Sequence, residues 1–116
     1  MYSCQVSGKT FSGVQVLKPE QFKTKMQELK NEIVLDVRAP KELAQGKIEN
    51  AININFFDET FDAQIAKLDK TKPVMVYCAG GFRSAEAAKK LQSLGFKEIY
   101  DLEGGFDVYQ GKGLDK

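Results

Sequence analysis

The sequence predicts an α/β domain: a central, mainly parallel sheet of five strands with helices on both faces. Three observations point there. Short apolar runs alternate with amphipathic helical patterns along the whole chain, the ordering of right-handed βαβ units. The runs at 33–35 and 74–77 are apolar at consecutive positions, as in strands covered by helices on both sides. The length of 116 residues suits one domain with a real core and is too short for two.

Taken in order, residues 1–13 are polar, glycine-containing and aperiodic, and read as a flexible arm ahead of a domain spanning 14–116. Cys4 in that arm is either an incidental thiol or the remnant of a bacterial lipoprotein signal. Val14-Gln15-Val16-Leu17 is a first strand. Pro19 suits the opening position of a helix, in which Phe22, Met26 and Leu29 form one apolar stripe and the lysines a solvated face. A second strand, 33–37, ends in Asp36-Val37-Arg38. Lys41 to Ala44 then form a short helix closed by Gly46. Residues 51–54 give a third strand, and Phe61, Ile65 and Leu68 a further helix. The fourth strand, Val74 to Tyr77, is the most apolar and so the central one. Ala87, Leu91 and Leu94 line the helix after it, with Ala85 and Ala88 allowing close approach to the sheet, and Gly95 ends it. Residues 98–100 supply the fifth strand, and the chain turns after Gly104-Gly105 into a last helical piece bearing Phe106 and Tyr109.

Composition removes several classes of function. Lys plus Arg number 17 and Asp plus Glu 16, and the resulting net charge of +1 gives no electrostatic reason to expect nucleic acid or a membrane surface as partner. No apolar run approaches the roughly 20 residues of a transmembrane segment. The absence of histidine excludes Ser-His and Cys-His pairs and His-containing zinc sites. Two cysteines, Cys4 and Cys78, cannot form a Cys-x-x-Cys pair or a four-thiolate site. No metal and no cofactor is expected, and any thiol chemistry must proceed without an imidazole.

The chain is organised around Cys78, which closes the central strand just before Gly80-Gly81 and a helix. Parallel α/β sheets bind ligands beyond the carboxyl ends of their strands, and the next helix turns its free N–H groups to the same point. An anion there is held by the backbone. A buried structural cysteine is the alternative, since free Cys is among the most buried residue types.

Four stretches, Asp36-Val37-Arg38 with Glu42, Gly46 through Ile54, Cys78-Ala79-Gly80-Gly81-Phe82-Arg83-Ser84, and Leu102-Glu103-Gly104-Gly105-Phe106, resemble in order and spacing the rhodanese (sulfurtransferase) family, over residues 14–109. The resemblance implies a three-layer rhodanese-like fold and a thiosulfate:cyanide sulfurtransferase type of activity. Cys78 takes a sulfane sulfur from a small donor (thiosulfate or a persulfide) and passes it to a thiol, cyanide or a protein thiol. A helix N-terminus with Arg83 nearby lowers a cysteine pKa, so Cys78 is expected to be substantially thiolate at neutral pH. Gly80 and Gly81 let the loop curl, and the amides of Ala79, Gly80, Gly81, Phe82, Arg83 and Ser84 are expected to form a nest around the outer sulfur. By position Arg83 meets the sulfonate end of the donor, Ser84 caps the helix, and Phe82 forms an apolar wall at the mouth, with Phe56, Phe57 and Phe106 as further candidates. Asp36 and Arg38 are expected to brace the loop rather than touch substrate.

The same fold serves dual-specificity phosphatases and arsenate reductases, whose loop between Cys and Arg is one residue longer than the four here. The smaller bowl suits a single sulfur. Two positions depart from the family: Lys47 stands where His is common, and Val108-Tyr109 where a small residue and Trp are common. Lys47 is expected to face solvent and Tyr109 to take over the packing of the tryptophan. A binding or regulatory module, or a protein sulfur relay, is the alternative function. The expected location is the reducing cytoplasm, or the bacterial envelope if Cys4 carries a lipid.

Overall fold

Strand order follows from which runs can be buried on both faces. The computed structural model describes residues 9–11 and 13–116. Along the chain these form β1 (Lys9–Phe11), β2 (Val14–Leu17), α1 (Pro19–Glu28), β3 (Ile33–Asp36), a 3₁₀ helix (Pro40–Gln45), β4 (Ile52–Asn53), α2 (Phe61–Ala66), β5 (Val74–Tyr77), α3 (Phe82–Ser93), β6 (Ile99–Leu102) and α4 (Gly105–Gly111). The sheet order is β1-β2-β6-β5-β3-β4. The five expected strands are mutually parallel, with β5 in the middle between β6 and β3, and every β5 residue is buried.

The five-stranded expectation is exceeded by one short strand: β1 pairs antiparallel with β2, inside the stretch read as an arm. Residues 1–8, with Cys4, lie outside the described residues. The helix expected at Lys41–Ala44 is a 3₁₀ turn opened by Pro40 and closed by Gly46 at φ 115°, a left-handed conformation that glycine adopts without strain. In β6 the strand runs past Tyr100 to Leu102, so it includes an acidic residue, Asp101.

Alternation along the strands divides the core in two. Val74 and Val76 join Leu35, Ala87, Ala88 and Leu91 beneath α3 and α2. Met75 and Tyr77 join Phe22, Leu102, Phe106 and Tyr109 beneath α1 and α4. The stripe on α1 is as expected, with Phe22 fully buried and Met26 and Leu29 packed against the same cluster. Tyr109 is buried and meets Phe22 edge-on and Phe106 in a stack, which is the packing role anticipated for it. Because the strands are parallel, the carboxyl ends of β3, β5 and β6 open at one edge of the sheet, and the residues after each meet there.

Candidate active site

Cys78 leaves β5 and is completely buried as a residue, walled by the α3 side of the core. Its Sγ accepts the Gly81 amide at 3.1 Å and the Ser84 amide at 3.4 Å, and lies 3.6 Å from Ser84 Oγ. The N–H of the residue that caps α3 and one N–H of its first turn, orphaned by helix geometry, are thus aimed at sulfur. Negative charge on that sulfur is stabilised by them and by the helix dipole.

The loop differs from the expected arrangement in instructive ways. Of the amides from Ala79 to Ser84, those of Gly81 and Ser84 are the ones hydrogen-bonded to Sγ. Ser84 does not cap α3. The cap is Gly81, left-handed at φ 103°, and Ser84 sits inside the first turn, its hydroxyl donating to the Gly81 carbonyl at 3.3 Å. A cap must precede the helix, and the helix begins three residues earlier than a cap at Ser84 requires. Gly81 needs to be glycine for its backbone, whereas a Cβ on Gly80 would meet nothing within 4 Å. Ala79 is half-buried and Gly80 exposed.

The loop is pinned from the next strand. After β6, Gly104 and Gly105 both take positive φ, and the opening amides of α4 turn back onto it: Phe106 N–H donates to Cys78 O at 2.7 Å and Asp107 N–H to Ala79 O at 3.1 Å. Phe106 is therefore buried against Tyr77 and not at the mouth. At the mouth stand Phe82, 89% exposed, and Phe57, 71% exposed and edge-on to half-buried Phe56.

Arg83 is held more firmly than its expected donor-binding role suggests. Its two terminal nitrogens donate to the two Glu42 carboxylate oxygens at 2.8 and 2.9 Å, a bidentate pair, and its guanidinium lies over the Phe57 ring. The Glu42 hydrogen bonds raise the Arg83 pKa, with the Cys78 sulfur adding to the effect. Arg83 in turn is the main cause that holds the Glu42 carboxyl down at about 2. Glu42 appears in the sequence only as part of a motif. Its role as the clamp on Arg83 was missed, because the two are 41 residues apart.

Asp36 and Arg38 form the brace. They make a fully buried ion pair, Arg38 Nη2 to Asp36 Oδ2 at 2.7 Å with Nε to Oδ1 at 3.0 Å. Arg38 also donates to the carbonyls of Glu42 (3.3 Å) and Gly46 (2.8 Å) and lies 4.5 Å over the Phe106 ring. The Tyr77 hydroxyl donates to Asp36 Oδ2 at 2.9 Å and accepts Ile48 N–H. Burial works against the Arg38 charge, but hydrogen bonding and attraction to Asp36 outweigh it and raise its pKa. These bonds run to the 39–48 segment. They fix the 3₁₀ turn that carries Glu42, and through it Arg83. Lys47 is exposed, as expected, with Nζ near the Ala51 carbonyl.

A prediction follows for the clamp. Glu42→Gln removes a partly solvated pair and is expected to cost about 1 kcal/mol or less at pH 7. A carboxyl whose folded pKa is depressed stabilises the fold above its unfolded pKa, and that stabilisation is lost as pH falls toward the folded value. The gap between parent and variant in urea unfolding is expected to close as pH falls from 4.5 toward about 2. A gap that widens in acid would contradict the pairing.

The family model of the rhodanese-like domain matches residues 18–112. Among curated relatives, the chain is 39% identical over 98 residues to a tRNA uridine(34) hydroxylase of Cytophaga hutchinsonii, covering 80% of this chain and 30% of that protein. It is 38% identical over 78 residues to the thiosulfate sulfurtransferase GlpE of Coxiella burnetii, covering 67% of this chain and 71% of that one. The chain thus spans less than a third of the length of the hydroxylase. Among solved structures, a rhodanese-related protein from Thermoplasma volcanium superposes with TM-score 0.74 at 34% identity, over 84% of this chain and 92% of that chain. With the family model matching most of its length and the cysteine loop set at the carboxyl edge of the sheet, the chain belongs to the rhodanese-like domain family.

Proposed function

We propose that the protein is a sulfurtransferase in which Cys78 accepts a sulfane sulfur from a small donor such as thiosulfate, holds it as a persulfide, and passes it to a thiophilic acceptor, cyanide or a thiol. The observation that carries this reading is the Cys78 sulfur under two amide donors, Gly81 N–H at 3.1 Å and Ser84 N–H at 3.4 Å, in a loop with four residues between Cys78 and Arg83. Sulfur attacks the outer sulfur of thiosulfate, the S–S bond forms as the bond to sulfite breaks, and sulfite leaves with the electron pair. Cyanide or a thiolate then takes the outer sulfur and regenerates the cysteine. The loop amides stabilise the negative sulfur before and after transfer. Arg83, charged and braced by Glu42, contributes positive potential at the mouth.

The likeness to a thiosulfate sulfurtransferase supports this reading. A thiol of this kind persists in the reducing cytoplasm, which is the proposed place of action. Among the described residues no helix is long and apolar enough to cross a membrane. A second reading, relay of sulfur to a protein-borne thiol, is favoured by exposed Phe82 and Phe57 beside the loop, where an apolar partner surface could settle.

Intact mass after brief exposure to thiosulfate tests the proposal. The parent is expected to gain one sulfur, about 32 Da, and Cys78→Ala nothing. Cyanide is expected to remove the gain with release of thiocyanate. No uptake by the parent would refute sulfur transfer from this donor. Uptake retained in Cys78→Ala would place the chemistry elsewhere.

A further inference from the structure

A sulfonate or any other forked anion is recognised by the two terminal nitrogens of a guanidinium acting together. In Arg83 both are already engaged, Nη1 with Glu42 Oε1 at 2.8 Å and Nη2 with Glu42 Oε2 at 2.9 Å, and the guanidinium carbon lies 6.0 Å from the centre of the Phe57 ring. Glu42 is not free to step aside. Its Oε1 also accepts the Ala39 amide at 2.8 Å, and its carbonyl is held by Arg38 at 3.3 Å. The two side chains are 20% and 21% exposed. Opposite charges this close, and partly removed from water, present a dipole to an approaching reagent instead of a net cation. Arg83 holds the Glu42 carboxyl at about 2, so the carboxylate is charged throughout the neutral range.

The other charges around the loop do not restore a positive field. Arg38 is spent on Asp36, and both are buried. Exposed Lys47 turns its Nζ to the Ala51 carbonyl at 3.3 Å. On the segments that border the loop, among the described residues, exposed Lys41 stands against four exposed acids: Asp58 and Glu59 after Phe57, and Glu103 and Asp107 on either side of the Gly104-Gly105 turn. That turn lies on the loop itself, with the Asp107 amide on the Ala79 carbonyl at 3.1 Å. What the mouth offers freely is apolar surface, the rings of Phe82 and Phe57.

We propose that Glu42 is a specificity-determining residue: by neutralising Arg83 it turns the site away from a dianionic donor such as inorganic thiosulfate and toward organic sulfane donors with an apolar body and a single negative charge, thiosulfonates or persulfides. With an organic thiosulfonate, the Cys78 thiolate attacks the outer sulfur. The new S–S bond forms as the old one breaks, and sulfinate leaves with the electron pair. The step is the one written above for thiosulfate, with one negative charge less brought to the mouth, and the apolar body has Phe57 and Phe82 to settle on. Glu42 acts through Arg83 and touches no reacting atom. The same contact has an opposite reading, in which Glu42 steadies Arg83 to receive the sulfonate. The two differ in sign when the carboxylate is removed.

The proposal rests on the sulfur-transfer reading, but one arm of its test needs no sulfur donor. Transfer to cyanide is followed for thiosulfate and for benzenethiosulfonate, donors that differ by one charge. Glu42→Gln is expected to raise kcat/KM for thiosulfate about fivefold more than for benzenethiosulfonate. A fall for thiosulfate in the variant, or an equal change for both donors, overturns the proposal. The same charge step is read without sulfur in the full chain carrying Cys4→Ser, from the rates at which anionic iodoacetate and neutral iodoacetamide alkylate Cys78, followed by mass. Their ratio is expected to rise about fivefold in Glu42→Gln, any change in the thiol itself dividing out, and an unmoved ratio overturns the proposal. Should Glu42→Gln not fold, the parent decides. Its ratio is expected to stay within about twofold between about 0.02 and about 0.5 M salt, and a steep fall with salt, the mark of an unanswered cation, overturns the proposal equally. A ratio that moves as expected without sulfur uptake from either donor would sink the function proposed above and leave the charge selection standing. Sulfur uptake with an unmoved ratio would do the reverse.

Discussion

Replacing Gly105 by alanine is expected to destabilise the protein by about 3 kcal/mol or more and to abolish reaction at Cys78. The residue has φ +72°, and a Cβ there would run into the Ala79 carbonyl and approach Gly80 N to 2.7 Å. Both neighbours are backbone, so no side chain can swing aside. The left-handed conformation costs about 1–2 kcal/mol for a residue with a Cβ. Moving the chains apart weakens the Phe106 to Cys78 and Asp107 to Ala79 hydrogen bonds, each worth about 1 kcal/mol. The same movement shifts the loop that places Gly81 N–H on the sulfur, so activity should fall by more than stability alone explains. Urea unfolding and alkylation of Cys78 check both. Gly80→Ala is the control, expected to stay within about 0.5 kcal/mol of the parent because its Cβ meets nothing. A Gly105→Ala variant as stable and reactive as that control would mean the glycine turn does not hold the loop.

Arg38→Met is expected to be comparably severe, at about 3–5 kcal/mol, because it leaves Asp36 buried and charged without its partner. The effect should reach the site by a defined route. Arg38 holds the Glu42 and Gly46 carbonyls, Glu42 holds Arg83, and Arg83 stands at the mouth of the loop. Arg38→Lys should recover little, since an ammonium lacks the planar fork that serves Asp36 and two carbonyls together. Adding Asp36→Asn to Arg38→Met should restore part of the loss by removing the stranded charge. Equilibrium unfolding of the four proteins decides it. If the double variant is no more stable than Arg38→Met, the cost lies in lost packing on Phe106 and not in the uncompensated carboxylate.

Much of this molecule is legible along the chain. The apolar run at 74–77 could only be a strand buried on both faces, and a cysteine closing it before Gly-Gly had to fall at the carboxyl edge where α3 begins. Phe22, Met26 and Leu29 announce the buried side of α1. What was misread turns mostly on partners distant in sequence, and in one place on where a helix starts. Phe106 looks like a mouth residue until the α4 amides fold it under the loop, and Ser84 looks like a cap until the helix starts at Phe82. Lys9–Phe11 has no pattern of its own and becomes a strand because the β2 edge offers it hydrogen bonds.

The amino-acid sequence by itself determined the layers, the strand at the centre and the place of the thiol, because periodicity and turn chemistry are local properties of neighbouring residues. The tertiary structure alone decided who holds whom: Glu42 on Arg83 across 41 positions, Gly105 against Ala79, the Phe106 amide on the Cys78 carbonyl. Hydrogen bonds and desolvation depend on distances of a few ångströms between groups brought together by folding, and no spacing along one strand or helix encodes them.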